Sequence, residues 1–330
     1  MIKTPIISED QFKIALKLIK MGEIIVFPTD TVYSIGANIY DEYAVRMINL
    51  VKKKSINEPL MLYVDTIEKI KELSSHVPKS AKILMEKFSP GPLTYVLKKS
   101  IKIPKFINNN LDTVAIRIPK NKTALNLIRK LKNPLVVSSA NLSKRPSSTS
   151  FSMALKELNG LVGGIIMPKK NKDSNIGIES TIIEFDSKDN VIILRPGAIT
   201  KKMIEKVLGS RYKVNYAKET KIDLKKMFSY RLRIPVHTFK RGDNIRKYLK
   251  TNTKVLITRD TFKFYFFSFL WDKKNIILFD SLIEYAENLY KELVNAEEKY
   301  DQVIVEIVEN EELGYAINNR IVKASSNNFM

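Results

Sequence analysis

Stretches with helical periodicity alternate with short apolar runs of strand length along most of this chain, and that alternation restricts the fold more than any other feature. Ser8 followed three residues later by Gln11 reads as a capping box, after which Phe12, Ala15, Leu16 and Ile19 recur at helical spacing until Gly22 stops the helix. Residues 23–27 read as the first strand. Ala44, Val45, Ile48 and Val51 mark a second helix, and residues 60–64 another strand. The alternation continues with a helix over 80–88, strands over 93–98 and 113–118, a helix over 124–131 and a strand over 134–138. A helix over 153–158 then precedes strands over 181–185 and 191–194, which lead to RPGAIT and a short helix ending at Gly209.

The stretch from about Arg211 to Arg233 is charged and weakly periodic, so residues 210–235 read as a linker between a first domain, 1–209, and a second, 236–330. In the second, LIEYAENLYKEL is helical, and residues 254–258 and YDQVIVEIV read as strands. The expected architecture is therefore α/β: a twisted, mixed open sheet followed by a smaller Rossmann-like α/β domain.

Lysine and arginine number 56 against 35 acidic residues, a net charge of +21 that favours a polyanionic partner such as nucleic acid or nucleotide phosphate. The lysines are scattered, and a lysine-rich genome or a hot habitat accounts for the excess equally well. There is no cysteine, which excludes disulfides, cysteine-ligated zinc and a thiol nucleophile. With His76 and His237 the only histidines, a Ser/His/Asp triad or histidine-rich metal site is not expected, and any metal would be a hard cation on carboxylates and substrate phosphates. Neither GxxxxGK[ST] nor GxGxxG occurs, so side chains must hold any bound nucleotide. No cleavable apolar signal and no run of roughly 18 apolar residues is visible, and a soluble cytoplasmic protein is expected.

Five segments place small polar or basic groups at the ends of strands or helices: VFPTDTVYSIGA, VKKKSINEPL, FSPGPLTYVL, TVAIRIPK running on to VVSSANLSKRPSST, and GIESTIIEF followed by ILRPGAI. Each has an ordinary structural use. The first is a turn, with Asp30 and Thr31 as its polar residues and Gly36 as permissive backbone. Lys52 and Lys54 end a helix, where cations suit the dipole. Ser139 and Asn141 sit just past a strand, as a capping turn would. Arg117 interrupts an apolar strand, and period two sets it on the face of Thr113 and Ala115. A charge there needs a partner, and a substrate carboxylate or phosphate is preferred to an internal ion pair.

Taken in order, the segments resemble the threonylcarbamoyl-AMP synthase family, whose YrdC-like core carries PTDTVYG, KxR, PGPLT, RxP, SAN and LRPG elements. The resemblance covers residues 10–200, and ELGYAINNRIVKAS near the other end is similar to the close of the Sua-type C-terminal domain. It implies conversion of L-threonine, bicarbonate and ATP to L-threonylcarbamoyl-AMP and pyrophosphate, with Mg²⁺ accompanying ATP, as the first step toward threonylcarbamoyladenosine in tRNA. It assigns Thr31, Tyr63, Arg117, Ser139 and Ser180 to L-threonine. Lys54, Glu58, Thr113, Asn141, Thr149 and Arg195 fall to ATP, and Lys52, Lys54, Ser139 and Asn141 to catalysis. A downstream threonylcarbamoyl transferase complex is an implied partner, with tRNA as a candidate, and no membrane is involved. The chain departs from the pattern at Ser34 (glycine in the family), Lys54 (arginine), Glu58 (asparagine) and Tyr63 (histidine), and its linker lacks the HYxP-like motif. An RNA-binding module of the same fold is the alternative; the similar core of hydrogenase-maturation carbamoyl transferases comes with cysteine zinc motifs absent here.

Overall fold

The computed structural model describes residues 3–53, 60–107, 111–169, 175–217, 230–245, 248, 252–265 and 273–325. Contacts divide the chain into two compact units, residues 1–143 with 147–222, and residues 144–146 with 223–330.

The first unit opens with β1 (Ile6–Ser8), α1 (Phe12–Lys20), β2 (Ile25–Phe27), β3 (Ser34–Asn38), α2 (Glu42–Val51), β4 (Met61–Tyr63), α3 (Ile67–Leu73), β5 (Ser74–His76) and α4 (Lys79–Phe88). It continues through β6 (Leu93–Lys99), β7 (Thr113–Arg117), α5 (Lys122–Leu131), β8 (Leu135–Ser139), α6 (Phe151–Leu158), β9 (Gly164–Met167), β10 (Thr181–Phe185), β11 (Val191–Arg195), α7 (Lys201–Leu208) and β12 (Val214–Tyr216). Its strands form one mixed sheet in the order β1-β9-β2-β3-β8-β4-β7-β6-β10-β11-β12, with β5 alongside β6. The helices start where short polar side chains satisfy their first amides: Asp41 accepts from Ala44 N, Asn121 from Ala124 N, Ser150 from Met153 N and Thr200 from Met203 N.

Register decides what each face of the sheet carries, because residues paired across neighbouring strands project to the same side. Val26, Ile35, Leu62, Ile116, Val136 and Ile183 belong to the larger apolar core. On the opposite side, Ile25, Phe27, Tyr63, Leu135 and Val137 pack under Ala15 and Ile19 of α1 and Ala124, Leu127, Ile128 and Leu131 of α5. Those two apolar stripes bury only part of that face, and the remainder is polar.

Five strands of the first unit fall outside the sequence expectation, the first of them β3, whose residues read as part of a turn. β1 and β5 have three residues each, too few for alternation to register. β9 begins at a glycine and is an unbroken apolar run. β12 lies in the segment read as a linker, where it pairs parallel with β11, Val214 against Val191.

The second unit contains β13 (Val236–Phe239), β14 (Thr253–Thr258), α8 (Arg259–Phe264), β15 (Ile276–Phe279), α9 (Leu282–Lys299), β16 (Gln302–Glu306) and α10 (Glu312–Ser325). Its four strands run parallel in the order β13-β16-β14-β15. Glu306, at the end of a central strand, accepts from Thr261 Oγ1 at 2.5 Å and from Thr258 N, fixing the start of α8. Residues 144–146 cluster with this unit: Arg145 forks onto Glu297 at 2.7 and 2.5 Å, and Arg231 N donates to Lys144 O at 2.8 Å.

Candidate functional site

The polar part of the sheet face can be followed strand by strand. Ser34 pairs with Ser139, Tyr63 with Arg117, and Ile182 with both Thr94 and Arg195, so Ser34, Ser139, Tyr63, Arg117, Thr94 and Arg195 all project from one side. Most of the residues that the sequence nominated lie on this face or in the loops at its edge.

Arg117 anchors it. Its guanidinium is 1% exposed and spends its donors inside the protein: Nε on Gly91 O at 2.9 Å, Nη1 on Thr31 Oγ1 at 2.8 Å and Tyr63 OH at 3.4 Å, and Nη2 on Asp30 Oδ1 at 2.5 Å. The period-two argument placed this side chain correctly, whereas the preference for a substrate anion over an internal ion pair is overturned: Asp30, 7% exposed, is the counter-ion. Burial forces the choice, since a desolvated guanidinium needs a charge within the fold. Asp30 Oδ1 also accepts Lys120 N at 3.0 Å, while its buried Oδ2 accepts no hydrogen bond.

The threonines of the PTDT turn divide their work. Thr29 Oγ1 accepts from Thr31 N at 3.1 Å and donates to Val32 O at 2.7 Å, so it closes the turn. Thr31 is thereby held with its hydroxyl against Arg117. The turn is stitched to the later loops by Tyr33 N to Ser148 O at 2.8 Å, Ala140 N to Tyr33 O at 2.8 Å, and Ser148 Oγ to Ala140 O at 2.6 Å.

Lys52, at the C-terminus of α2, is fully buried. Its ammonium donates to Ser139 O, to Asn141 O at 2.6 Å and to Asn141 Oδ1 at 3.5 Å, and its own carbonyl accepts Ser143 N at 2.8 Å. Assigned to catalysis by the resemblance, it holds the backbone of the SAN loop from inside. Asn141 Nδ2 donates to Leu142 O at 2.9 Å, and Thr149 is buried immediately before α6. Ser180 Oγ lies 2.8 Å from Thr94 Oγ1, and Arg195 donates through Nε to Ser180 O at 3.0 Å and through Nη2 to Ser180 Oγ at 3.1 Å. Thr113 shares the face of Arg117 but stands exposed at the opposite end of β7, roughly 13 Å away at strand rise. Lys54 and Glu58 lie outside the described residues.

Sequence reasoning passed over Asp30, Thr94 and two glycines. A Cβ on Gly91 would meet Phe88 O at 2.4 Å, and one on Gly197 would meet Thr181 N at 2.5 Å and Glu179 O at 2.7 Å. These close approaches explain the glycines of PGPLT and RPG: one offers its carbonyl to Arg117, and the other backs the turn that carries Ser180. The signal for Asp30 was the unbalanced charge of Arg117 itself.

The face thus presents hydroxyls, a buried ion pair and a fixed guanidinium. The Sua5/YciO/YrdC family model, described as Telomere recombination, matches residues 17–197, and the model described as Threonylcarbamoyl-AMP synthase, C-terminal domain, matches residues 199–326. The chain belongs to the Sua5/YciO/YrdC family.

Among family members, it is 34% identical over 329 residues to the threonylcarbamoyl-AMP synthase of Pyrococcus abyssi, covering 97% of this chain and 95% of that one. It is 37% identical over 203 residues to the threonylcarbamoyl-AMP synthase of Bacillus subtilis, covering 61% of this chain and 58% of that one. The crystal structure of P. abyssi Sua5 complexed with L-threonine superposes with a TM-score of 0.84 at 31% identity, covering 98% of each chain. Two of this chain's departures from the Sua5/YciO/YrdC pattern meet in space: Ser34 Oγ lies 3.4 Å from Tyr63 OH, whose ring lies under the Arg117 guanidinium at 5.5 Å.

Proposed function

We propose that this chain is an L-threonylcarbamoyl-AMP synthase. The observation that carries the reading is the single sheet face uniting Tyr63, Arg117, Ser139 and Arg195, with Thr31 and Ser180 in hydrogen-bond contact with it, in a chain whose relatives of near-equal length bear that name.

The threonine amine condenses with bicarbonate to give a carbamate and water. A carbamate oxygen then attacks the α-phosphorus of ATP, and the bond from that phosphorus to the α,β-bridging oxygen breaks, releasing pyrophosphate and leaving the AMP adduct. No group of the protein forms a covalent bond, so the work is positioning and charge neutralisation. Thr31, Tyr63, Ser139 and Ser180 hold the amino acid. Asn141, Thr149 and Arg195 hold the nucleotide, together with Thr113 and, in the segment outside the described residues, Lys54 and Glu58. Arg117 acts through Asp30, Thr31 and Tyr63 as the organiser of the threonine side, and Lys52 sets the path of the Ser139–Asn141 backbone. Mg²⁺ enters with ATP.

The mixed anhydride is consumed by a transferase that acylates tRNA, in the cytoplasm where both occur. Among the described residues, no helix is long and apolar enough to cross a membrane. Isothermal titration tests the order of binding: L-threonine should bind first, and ATP should bind more tightly in its presence. ATP affinity indifferent to threonine would count against a shared site.

A further inference from the structure

A second basic feature lies on the first unit, away from the substrate face. Among the described residues β5 pairs only with β6, Ser74 opposite Lys99 and His76 opposite Lys98. Beside it runs an open cleft of about 440 Å³ lined by Lys71, Ser74, Ser75, His76, Val77 and Lys82. Lys71 comes from the last turn of α3 and Lys82 from the first turn of α4, and both are exposed, as are Ser75, His76 and Lys98.

Among the described residues, every ionisable group lining the cleft is basic. From Ile67 to Lys102 there are eight lysines and three acidic residues, a denser excess than the chain's average of +21 over 330 residues. Of the three acids, Glu72 is taken up by Lys69 at 2.6 Å and Lys102 at 3.1 Å, while Glu68 and Glu86 stand one turn from Lys71 and Lys82 on their helices. Asp189 faces the same helix start, but its carboxylate accepts Lys79 N at 2.9 Å.

We propose that this cleft docks the phosphodiester backbone of RNA. Lysine ammonium groups are mobile point charges that suit phosphate oxygens. Among the described residues the cleft's lining includes no Phe, Tyr or Trp on which bases stack, so it reads backbone charge rather than sequence. The choice of RNA rests on the proposed function, because the acyl group made at the substrate face is destined for a tRNA. Holding that RNA on a separate surface leaves the adenylate site free.

The test is fluorescence anisotropy with a labelled, unmodified tRNA transcript and the full chain, repeated from 50 to 200 mM salt. The paired substitutions Lys71→Glu and Lys82→Glu should weaken binding at least ~10-fold and lower the log–log salt slope by about 1.5, at roughly 0.7 to 0.9 per phosphate contact. Lys71→Gln with Lys82→Gln, which adds no repulsion, should still cost ~3-fold. A matched reversal at two exposed lysines of α1, Lys13→Glu with Lys17→Glu, should change affinity less than ~3-fold. Threonine-dependent pyrophosphate release should be unchanged in the cleft variants. Absence of tRNA binding by the wild type, cleft variants that bind like it, or an equal loss in the α1 pair overturns the proposal. Wild-type chain that binds tRNA through the cleft yet releases no pyrophosphate would leave the docking surface standing and sink the synthase reading.

Discussion

Removing the carboxylate of Asp30 tests whether the substrate face is built around the buried Arg117 charge. In Asp30→Ala the guanidinium, 1% exposed, keeps only Gly91 O, Thr31 Oγ1 and the longer contact to Tyr63 OH. Breaking one side of a buried pair typically costs about 3 to 5 kcal/mol, because the surviving charge stays desolvated. Asp30→Asn keeps an oxygen for Arg117 Nη2 and Lys120 N but loses the charge, so roughly 1.5 to 3 kcal/mol is expected. The assay is urea unfolding followed by far-UV circular dichroism. A double-mutant cycle with Arg117→Met should give a coupling above about 1 kcal/mol, and the Michaelis constant for threonine should rise in Asp30→Asn. Stability of Asp30→Asn within about 0.5 kcal/mol of wild type, with no coupling, would refute the reasoning.

Lys52→Met should reduce kcat/KM at least ~100-fold, because two carbonyls of the SAN loop lose charge-assisted bonds worth about 1.5 to 3 kcal/mol each; single-turnover pyrophosphate release measures it. Gly197→Ala should cost about 1 to 3 kcal/mol and weaken threonine binding by calorimetry, since its Cβ would sit 2.5 Å from Thr181 N and displace the turn carrying Ser180. Burial pushes the Glu297 carboxyl up, but the Arg145 fork and the Arg233 amide outweigh it and hold the group below its ordinary value. That stabilisation is present above the unfolded value near ~4.3 and is lost as pH falls through the folded one. Urea melts should therefore show Glu297→Gln less stable than wild type at neutral pH, with the gap closing below about pH 4; a constant gap would contradict the assignment.

The alternation of strand and helix made the first unit's architecture legible, and period two gave the direction of Arg117. What local sequence lacks is register. Asp30 lies 87 residues from Arg117, and their meeting depends on β4 and β7 pairing in parallel beside the PTDT turn. Ser34 and Tyr63 were visible as separate departures from the family pattern, yet only the order β3-β8-β4 brings their hydroxyls together. Lys52 looked like a solvated helix end because nothing near it in sequence shows that the Ser139–Asn141 loop covers it. Nothing local marks Thr94 either: only the pairing of its strand with β10, Thr94 opposite Ile182, brings its hydroxyl to Ser180.

Pyrophosphate release from ATP is the most direct test of the synthase assignment, because the attacking carbamate exists only when threonine and bicarbonate combine. With the full chain, ATP and Mg²⁺, release should require both L-threonine and bicarbonate and should fall to background when either is left out. Release at an undiminished rate without threonine would contradict the account.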